Sequence, residues 1–166
     1  MKFTIEIAQD NDDWDLYDEI NPQLFEQILN KVIETYPNFS KVKDIELSIL
    51  LSNDNRIKKL NQEFRNESST TNVLSFPDID IDFRQILEFE PNLDYMYLGD
   101  IAFAFETIAK EAQERTISFL SHFKHLLVHS ILHLLGYDHK DDIETEIMQN
   151  IEIKILQKLS VPSPYL

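Results

Sequence analysis

The chain has 166 residues, 43% of them hydrophobic, which is enough for one domain with a substantial core, and we expect a single domain over residues 1–166. It has no cysteine, which excludes disulfides and thiolate metal ligands, and its formal net charge of −15 argues against a general electrostatic attraction to nucleic acid. The N-terminus has no apolar signal core and no apolar run approaches the ~20 residues that span a bilayer, so we expect a soluble, cytoplasmic protein.

Strand-like and helix-like patterns follow one another along the chain, and its last third is helical. Alternating polarity predicts strands, whereas apolar residues three and four apart predict helices. In chain order the predicted elements are a strand over 2–8, a helix over 22–36 ended by Pro37, a strand over 44–51, a short helix after Ser52-Asn53-Asp54, strands over 72–76 and from Gly99-Asp100, and helices over 106–115, 118–135 and 142–158. This order predicts an α+β domain with a helical C-terminal half.

Three details of these elements bear on function. The short helix after residue 54 is predicted to turn Ile57, Leu60 and Phe64 inward and to present a basic cluster outward, formed by Arg56, Lys58, Lys59 and Arg65. Segment 78–97 is acidic and irregular, and it lacks the central glycine and closing glutamate of a calcium loop, so we expect a solvated surface loop. The last helix carries Met148, expected to fill the core, beside a row at four-residue spacing: Ile143, Ile147, Ile151, Ile155 and Leu159.

Three histidines follow the spacing H-x-x-x-H-x-x-G-x-x-H, and they are His129, His133 and His139. On a helix the first two lie on one face and can point at a common ion. The third can join them only if the helix ends and the chain turns back, which Gly136 permits through a left-handed C-terminal cap. Three neutral imidazoles with an open fourth position predict a catalytic zinc site.

The residues near the three histidines restrict which kind of zinc site this is. No glycine turn brings a third histidine back to His122 or His125, so we expect both to be partly buried, hydrogen-bonded side chains. The similar metzincin peptidase motif has a glutamate as general base where this chain has Ser130, and serine is no carboxylate base at neutral pH. The ligand spacing is therefore present without the machinery of peptide hydrolysis.

Four segments together resemble the motifs of the YbeY-type endoribonucleases, in the same order. Residues 60–65 (LNQEFR) resemble L-N-x-x-Y-R, 71–77 (TNVLSFP) resemble T-D-V-L-S-F-P, 98–101 (LGDI) are identical to L-G-D-I, and 129–139 are similar to H-G-x-L-H-L-x-G-Y-D-H. The resemblance extends from about residue 45 to 155. Ser130 stands for the usual glycine, Asn72 for aspartate and Phe64 for tyrosine.

The resemblance implies a zincin-like α+β domain with a four-stranded mixed sheet packed by helices. It implies a zinc-dependent, single-strand-specific endoribonuclease acting in small-subunit (16S) rRNA maturation and ribosome quality control. One Zn²⁺ per chain would be held by His129, His133 and His139, and His129 and Arg65 would be catalytic. Arg65 would also bind substrate. From the basic cluster we expect Arg56 and Lys59 to bind substrate as well, and the alternative for such a cluster is a solvated helix face. The implied partners are single-stranded or ribosomal RNA, small-subunit ribosomal proteins and the GTPase Era, with no membrane.

Two other function classes stay open. One is a non-catalytic, metal-containing ribosome-assembly factor, which the charge of −15 favours because an acidic body prefers basic ribosomal proteins to RNA. The other is a metallohydrolase of a non-nucleic substrate. The group that deprotonates the nucleophile also stays open, with Asp138 and Asp100 as candidates, although an aspartate beside a histidine more often orients a ligand.

Overall fold

A four-stranded mixed sheet forms the framework of the chain, and the computed structural model describes residues 1–165. Its strands are β1 (Lys2–Gln9), β2 (Asp44–Ser52), β3 (Val73–Pro77) and β4 (Met96–Ala104). They lie in the order β1-β2-β4-β3, with β1, β2 and β4 parallel and β3 antiparallel to β4. The predicted α+β class with a four-stranded mixed sheet is confirmed.

Within residues 1–165 the chain also forms five α-helices, and three of them follow one another at the C-terminal end. They are α1 (Pro22–Ile33), α2 (Asp54–Arg65), α3 (Phe105–Arg115), α4 (Phe119–Leu134) and α5 (Asp142–Lys158). Helix α1 begins at Pro22 as predicted but ends three residues before the predicted position 36. Tyr36 precedes a proline and is therefore held in an extended conformation (φ −117°), which a helix cannot include. None of the helices described within residues 1–165 is both long and apolar enough to traverse a bilayer.

Helix α4 runs through the centre of the core. It contacts β3 and β4 of the sheet and also α1, α3 and α5. The helix starts where Ser118 accepts a hydrogen bond from the backbone N–H of Ser121, and most of its residues are buried. Histidines on such a helix are removed from water and need hydrogen-bond partners, so their contacts show how each ring is oriented.

Helix α2 covers part of the sheet face opposite to the one that α4 contacts. Ile57 packs there against Leu74, Ala102 and Ala104. The prediction that Phe64 turns inward is wrong, because its side chain is 61% exposed and packs edge-on against Phe76. Asn61 takes the inward position instead, where its amide donates a hydrogen bond of 2.9 Å to the Ser69 carbonyl. This contact ties the chain between α2 and β3 back to the helix.

The row of isoleucines on α5 does not form its buried face. Ile143 is 71% exposed, whereas the buried residues of the helix are Glu144, Met148, Glu152, Ile155 and Leu156. A four-residue spacing advances about 40° around a helix at every step, so such a row winds away from any one face. Met148 lies in the core as predicted. The inward face of α5 therefore carries two carboxylates.

Segment 78–97 has a buried part as well as exposed acids. It contains a short 3₁₀ helix (Phe83–Glu88), and Ile81 and Ile86 are each 5% exposed. Arg84 forms an ion pair of 2.5 Å with Glu144, which ties the segment to α5. The Ile81 carbonyl lies against Gly136, so the first residues of this segment also reach the region where α4 ends.

Candidate metal centre

The imidazoles of His129, His133 and His139 converge where α4 ends. One ring nitrogen of each residue lies within 4.8 Å of the other two, and Nε2 of His129 is 2.9 Å from Nε2 of His133. Nitrogens bound to one tetrahedral zinc ion at 2.0–2.1 Å lie about 3.3 Å apart. The three side chains thus form a group that could hold a metal ion, at the positions that the spacing predicts.

The turn at Gly136 brings the third histidine back. Gly136 has φ +97°, a conformation that L side chains rarely adopt, and the predicted left-handed turn is confirmed. A Cβ on this residue would lie 1.9 Å from the Ile81 carbonyl oxygen. The N–H of Tyr137 donates to the Leu132 carbonyl at 3.1 Å, which closes the end of the helix. The return therefore needs both a positive φ and the absence of a side chain.

Two of the three imidazoles are held through Nδ1, the nitrogen away from the site. Nδ1 of His133 donates to the Tyr137 carbonyl at 2.8 Å, and Nδ1 of His129 donates to Oε1 of Glu152 at 2.5 Å. A proton on Nδ1 leaves Nε2 with a free lone pair, which is the form in which imidazole binds a metal. This donor arrangement fits a metal ion.

The protonation of these groups agrees with that assignment. Burial lowers the pKa of His133 to about 4, so this imidazole is neutral at physiological pH. Burial alone would raise the pKa of Glu152, but hydrogen bonds from His125 and His129 outweigh it and bring that pKa to about 2. The neutral His133 therefore lies beside His129, which donates a hydrogen bond to the ionised carboxylate of Glu152.

The Glu152 contact was not predicted from the sequence. The residue lies on the buried face of α5, four positions after Met148 and three before Ile155. An acid within an otherwise apolar helix face is the signal that could have identified it, because buried carboxylates need specific partners. The row of isoleucines does not mark this face, because Ile143 is 71% exposed.

A cavity of about 680 Å³ opens beside the histidines. Its wall includes the three histidines, Arg65 at the end of α2, residues 71–75, which lead into β3, and residues 77–81, which follow from its end. The guanidinium of Arg65 donates to the Ser75 carbonyl at 2.6 Å and lies over the Phe76 ring at 5.6 Å. Arg65 and the candidate metal ligands thus line one cavity.

Other residues singled out in the sequence lie elsewhere. Arg56 and Lys59 occupy exposed positions of α2 outside the cavity wall described for residues 1–165. Asp100 lines a separate groove on the sheet, whereas Asp138 lines the metal cavity and accepts the backbone N–H of His139 at 2.8 Å. Of the two candidate bases, only Asp138 is therefore near the histidines.

The remaining histidines have the roles that their context predicts. His122 is 1% exposed and pairs with Glu111 at 2.9 Å, and His125 is 7% exposed and pairs with Glu152 at 3.2 Å. The prediction that both are hydrogen-bonded side chains rather than members of the histidine group is confirmed, and both are more deeply buried than expected. Asn72 lines the cavity, and its amide also donates to Glu111 at 2.9 Å, which an aspartate could not do when ionised.

Comparisons with known proteins agree with the geometry. The family model described as Endoribonuclease YbeY matches residues 9–160. Endoribonuclease YbeY of Erythrobacter litoralis is 46% identical over 122 residues, which cover 73% of this chain and 74% of that protein. The solution structure of TM1509 from Thermotoga maritima has a TM-score of 0.55 at 23% identity, covers 96% of this chain and 95% of its own, and shares the fold. The chain belongs to the YbeY endoribonuclease family.

Proposed function

We propose that this protein is a zinc-dependent, single-strand-specific endoribonuclease that acts in small-subunit (16S) rRNA maturation and ribosome quality control. The observation that carries the proposal is the shared cavity in which three convergent histidines and Arg65 lie, in a chain of the YbeY family. The rRNA substrate and the cytoplasmic site of action are inferred from membership of that family. So are the partners, small-subunit ribosomal proteins and the GTPase Era.

Zinc is the ion that suits this set of donors. The ligands are His129, His133 and His139, and a chain without cysteine offers no thiolate to a softer metal. Three neutral imidazoles leave a position open to substrate, as in catalytic rather than structural zinc sites. A bound zinc ion would supply Lewis acidity at the scissile phosphate.

Arg65 is proposed to hold the phosphate. Its guanidinium is oriented by the Ser75 carbonyl and the Phe76 ring, and one such bond leaves further N–H groups to face the cavity. A guanidinium binds phosphate oxygens in pairs and stabilises negative charge that grows during cleavage. Arg56 and Lys59 would act further out, along a longer strand of RNA, because both lie outside the cavity wall described here.

The acidic residues of the cavity weaken the electrostatic attraction between the protein and RNA. Asp78, Asp80 and Asp138 also line it, and the whole chain carries a net charge of −15. Long-range attraction is therefore weak, and binding depends on short-range contacts with the metal and Arg65 and, further out, with Arg56 and Lys59. Asp138 is the nearer candidate for accepting a proton from the nucleophile, because Asp100 lies in a different groove.

Replacement of Arg65 tests the nuclease assignment. With zinc bound, the variant Arg65→Ala is expected to cleave a single-stranded RNA oligonucleotide about 10²–10³-fold more slowly, because one charged donor to the phosphate is lost. Arg65→Lys should recover part of the rate, since the charge remains without the paired geometry. Single-turnover cleavage of a labelled oligonucleotide measures both rates.

The matched control is Lys58→Ala, an exposed cation on the same helix to which no role is assigned. It should cleave like the wild type, and both Arg65 variants should still bind zinc. Equal cleavage by the wild type and Arg65→Ala would remove Arg65 from the mechanism. A zinc-loaded wild type that leaves single-stranded RNA intact would contradict the nuclease proposal and favour the non-catalytic assembly factor.

A further inference from the structure

Glu152 is a fully buried carboxylate that contacts a candidate metal ligand. It lies on α5, its side chain is 1% exposed, and Oε1 accepts from Nδ1 of His129 at 2.5 Å. The other oxygen, Oε2, accepts from Nε2 of His125 at 3.2 Å and from the hydroxyl of Tyr165. Both carboxylate oxygens therefore have partners, and one oxygen is directed at His129 alone.

We propose that Glu152 is a positioning residue that fixes the ring of His129 for metal binding, and that Tyr165 holds the Glu152 carboxylate in place. The inference rests on the proposed zinc site and deepens it. It makes the affinity for the metal depend on a residue that does not touch the metal and on a tyrosine beyond the last helix. It also gives His125 a supporting role at the metal centre, because His125 contacts Glu152 without being a metal ligand.

The contacts of His129 and His133 differ in kind. His133 donates to a neutral backbone carbonyl within its own turn, whereas His129 donates to a carboxylate from another helix. A carboxylate partner fixes the tautomer and the ring orientation and makes the opposite nitrogen a better electron donor. Loss of Glu152 should therefore affect His129 while leaving His133 as it is.

The contacts of Tyr165 show how the carboxylate is held. Its hydroxyl donates to Oε2, and its ring packs edge-on against His125, with centroids 5.5 Å apart and an interplanar angle of 88°. His125 itself is 7% exposed, so it has little freedom to turn. Glu152 is thus fixed by two groups on the side away from His129.

Zinc affinity of the full-length protein tests the inference. Competition with a chromophoric chelator is expected to show zinc binding about 10–100-fold weaker for Glu152→Gln, because the amide keeps the size but loses the charge. Tyr165→Phe should weaken zinc binding less, since it loosens the carboxylate without removing it. The matched control is Glu111→Gln. Glu111 is the carboxylate partner of His122, which lies on α4 like His129, and this variant should bind zinc like the wild type.

A second measurement separates positioning from general damage. In the zinc-loaded protein, the NMR signal of the proton on Nδ1 of His129 should move upfield in Glu152→Gln, while that of His133 stays in place. Should Glu152→Gln fail to fold, Tyr165→Phe decides, and unchanged zinc affinity with an unchanged His129 signal would overturn the inference. An equal loss of affinity in Glu111→Gln would overturn it as well.

The zinc measurements need no RNA, so the two proposals can fail separately. A wild type that binds zinc but cleaves no RNA would refute the nuclease while the role of Glu152 stands. A folded Glu152→Gln that binds zinc as tightly as the wild type would refute the role of Glu152 while the nuclease stands. A wild type that binds no zinc would overturn both.

Discussion

Replacement of His133 by alanine is expected to remove zinc and RNA cleavage together. His133 is the ligand in the middle of the group, on α4 between His129 and the turn that brings back His139. Zinc sites with four ligands bind with about 10–16 kcal/mol, or roughly 3 kcal/mol for each ligand. Loss of one ligand from three should therefore weaken zinc binding by about two orders of magnitude. Metal analysis after gel filtration and cleavage of single-stranded RNA measure the two effects.

His122→Gln is the matched control for this experiment. His122 is a buried histidine of the same helix, and glutamine can still donate to Glu111. This variant should keep both zinc and activity. If His133→Ala retained a full equivalent of zinc, the assignment of the ligands would be wrong. If His133→Ala lost zinc and still cleaved the same RNA as His122→Gln, the cleavage would not need the metal.

The histidine group could be predicted because its geometry is local. His129 and His133 are one helical turn apart, and the glycine that ends the helix is three residues further on, so helix periodicity and one turn determine where the ligands point. The position of Arg65 followed only from the resemblance to a family. Nothing in the spacing of α2 shows that its last residue shares a cavity with α4.

Glu152 was missed because its contact depends on tertiary packing. It is 23 residues from His129 in the chain, and the contact forms only because α5 packs against α4. The rotation of α5 decides which side chains face α4, and a four-residue row of isoleucines does not determine that rotation. Phe64 was assigned wrongly for a similar reason, since the helix period places it near the inward face, but there it packs only edge-on against Phe76 and stays 61% exposed.

Replacement of Gly136 by alanine is expected to destabilise the protein and to displace His139 from the site. The added Cβ would meet the Ile81 carbonyl oxygen at 1.9 Å, and a φ of +97° is strained for any L residue. Strain of this kind and overpacking each cost about 1–3 kcal/mol, so we expect the free energy of unfolding to fall by about 2–6 kcal/mol. Urea unfolding of the metal-free protein measures the fall without the contribution of bound zinc.

Asn66→Ala separates the strain from the clash. Asn66 also ends a helix with positive φ (+55°), but it lies exposed at the end of α2. Its replacement should cost about 1 kcal/mol, because only the left-handed conformation is penalised there. A Gly136→Ala variant that lost no more stability than Asn66→Ala would mean that residues 81–83 yield to the new side chain. If such a variant also bound zinc like the wild type, the return of His139 would not depend on glycine. The expected result, a larger loss of stability together with weaker zinc binding, would tie segment 78–97 to the metal centre through the contact of Gly136 with Ile81.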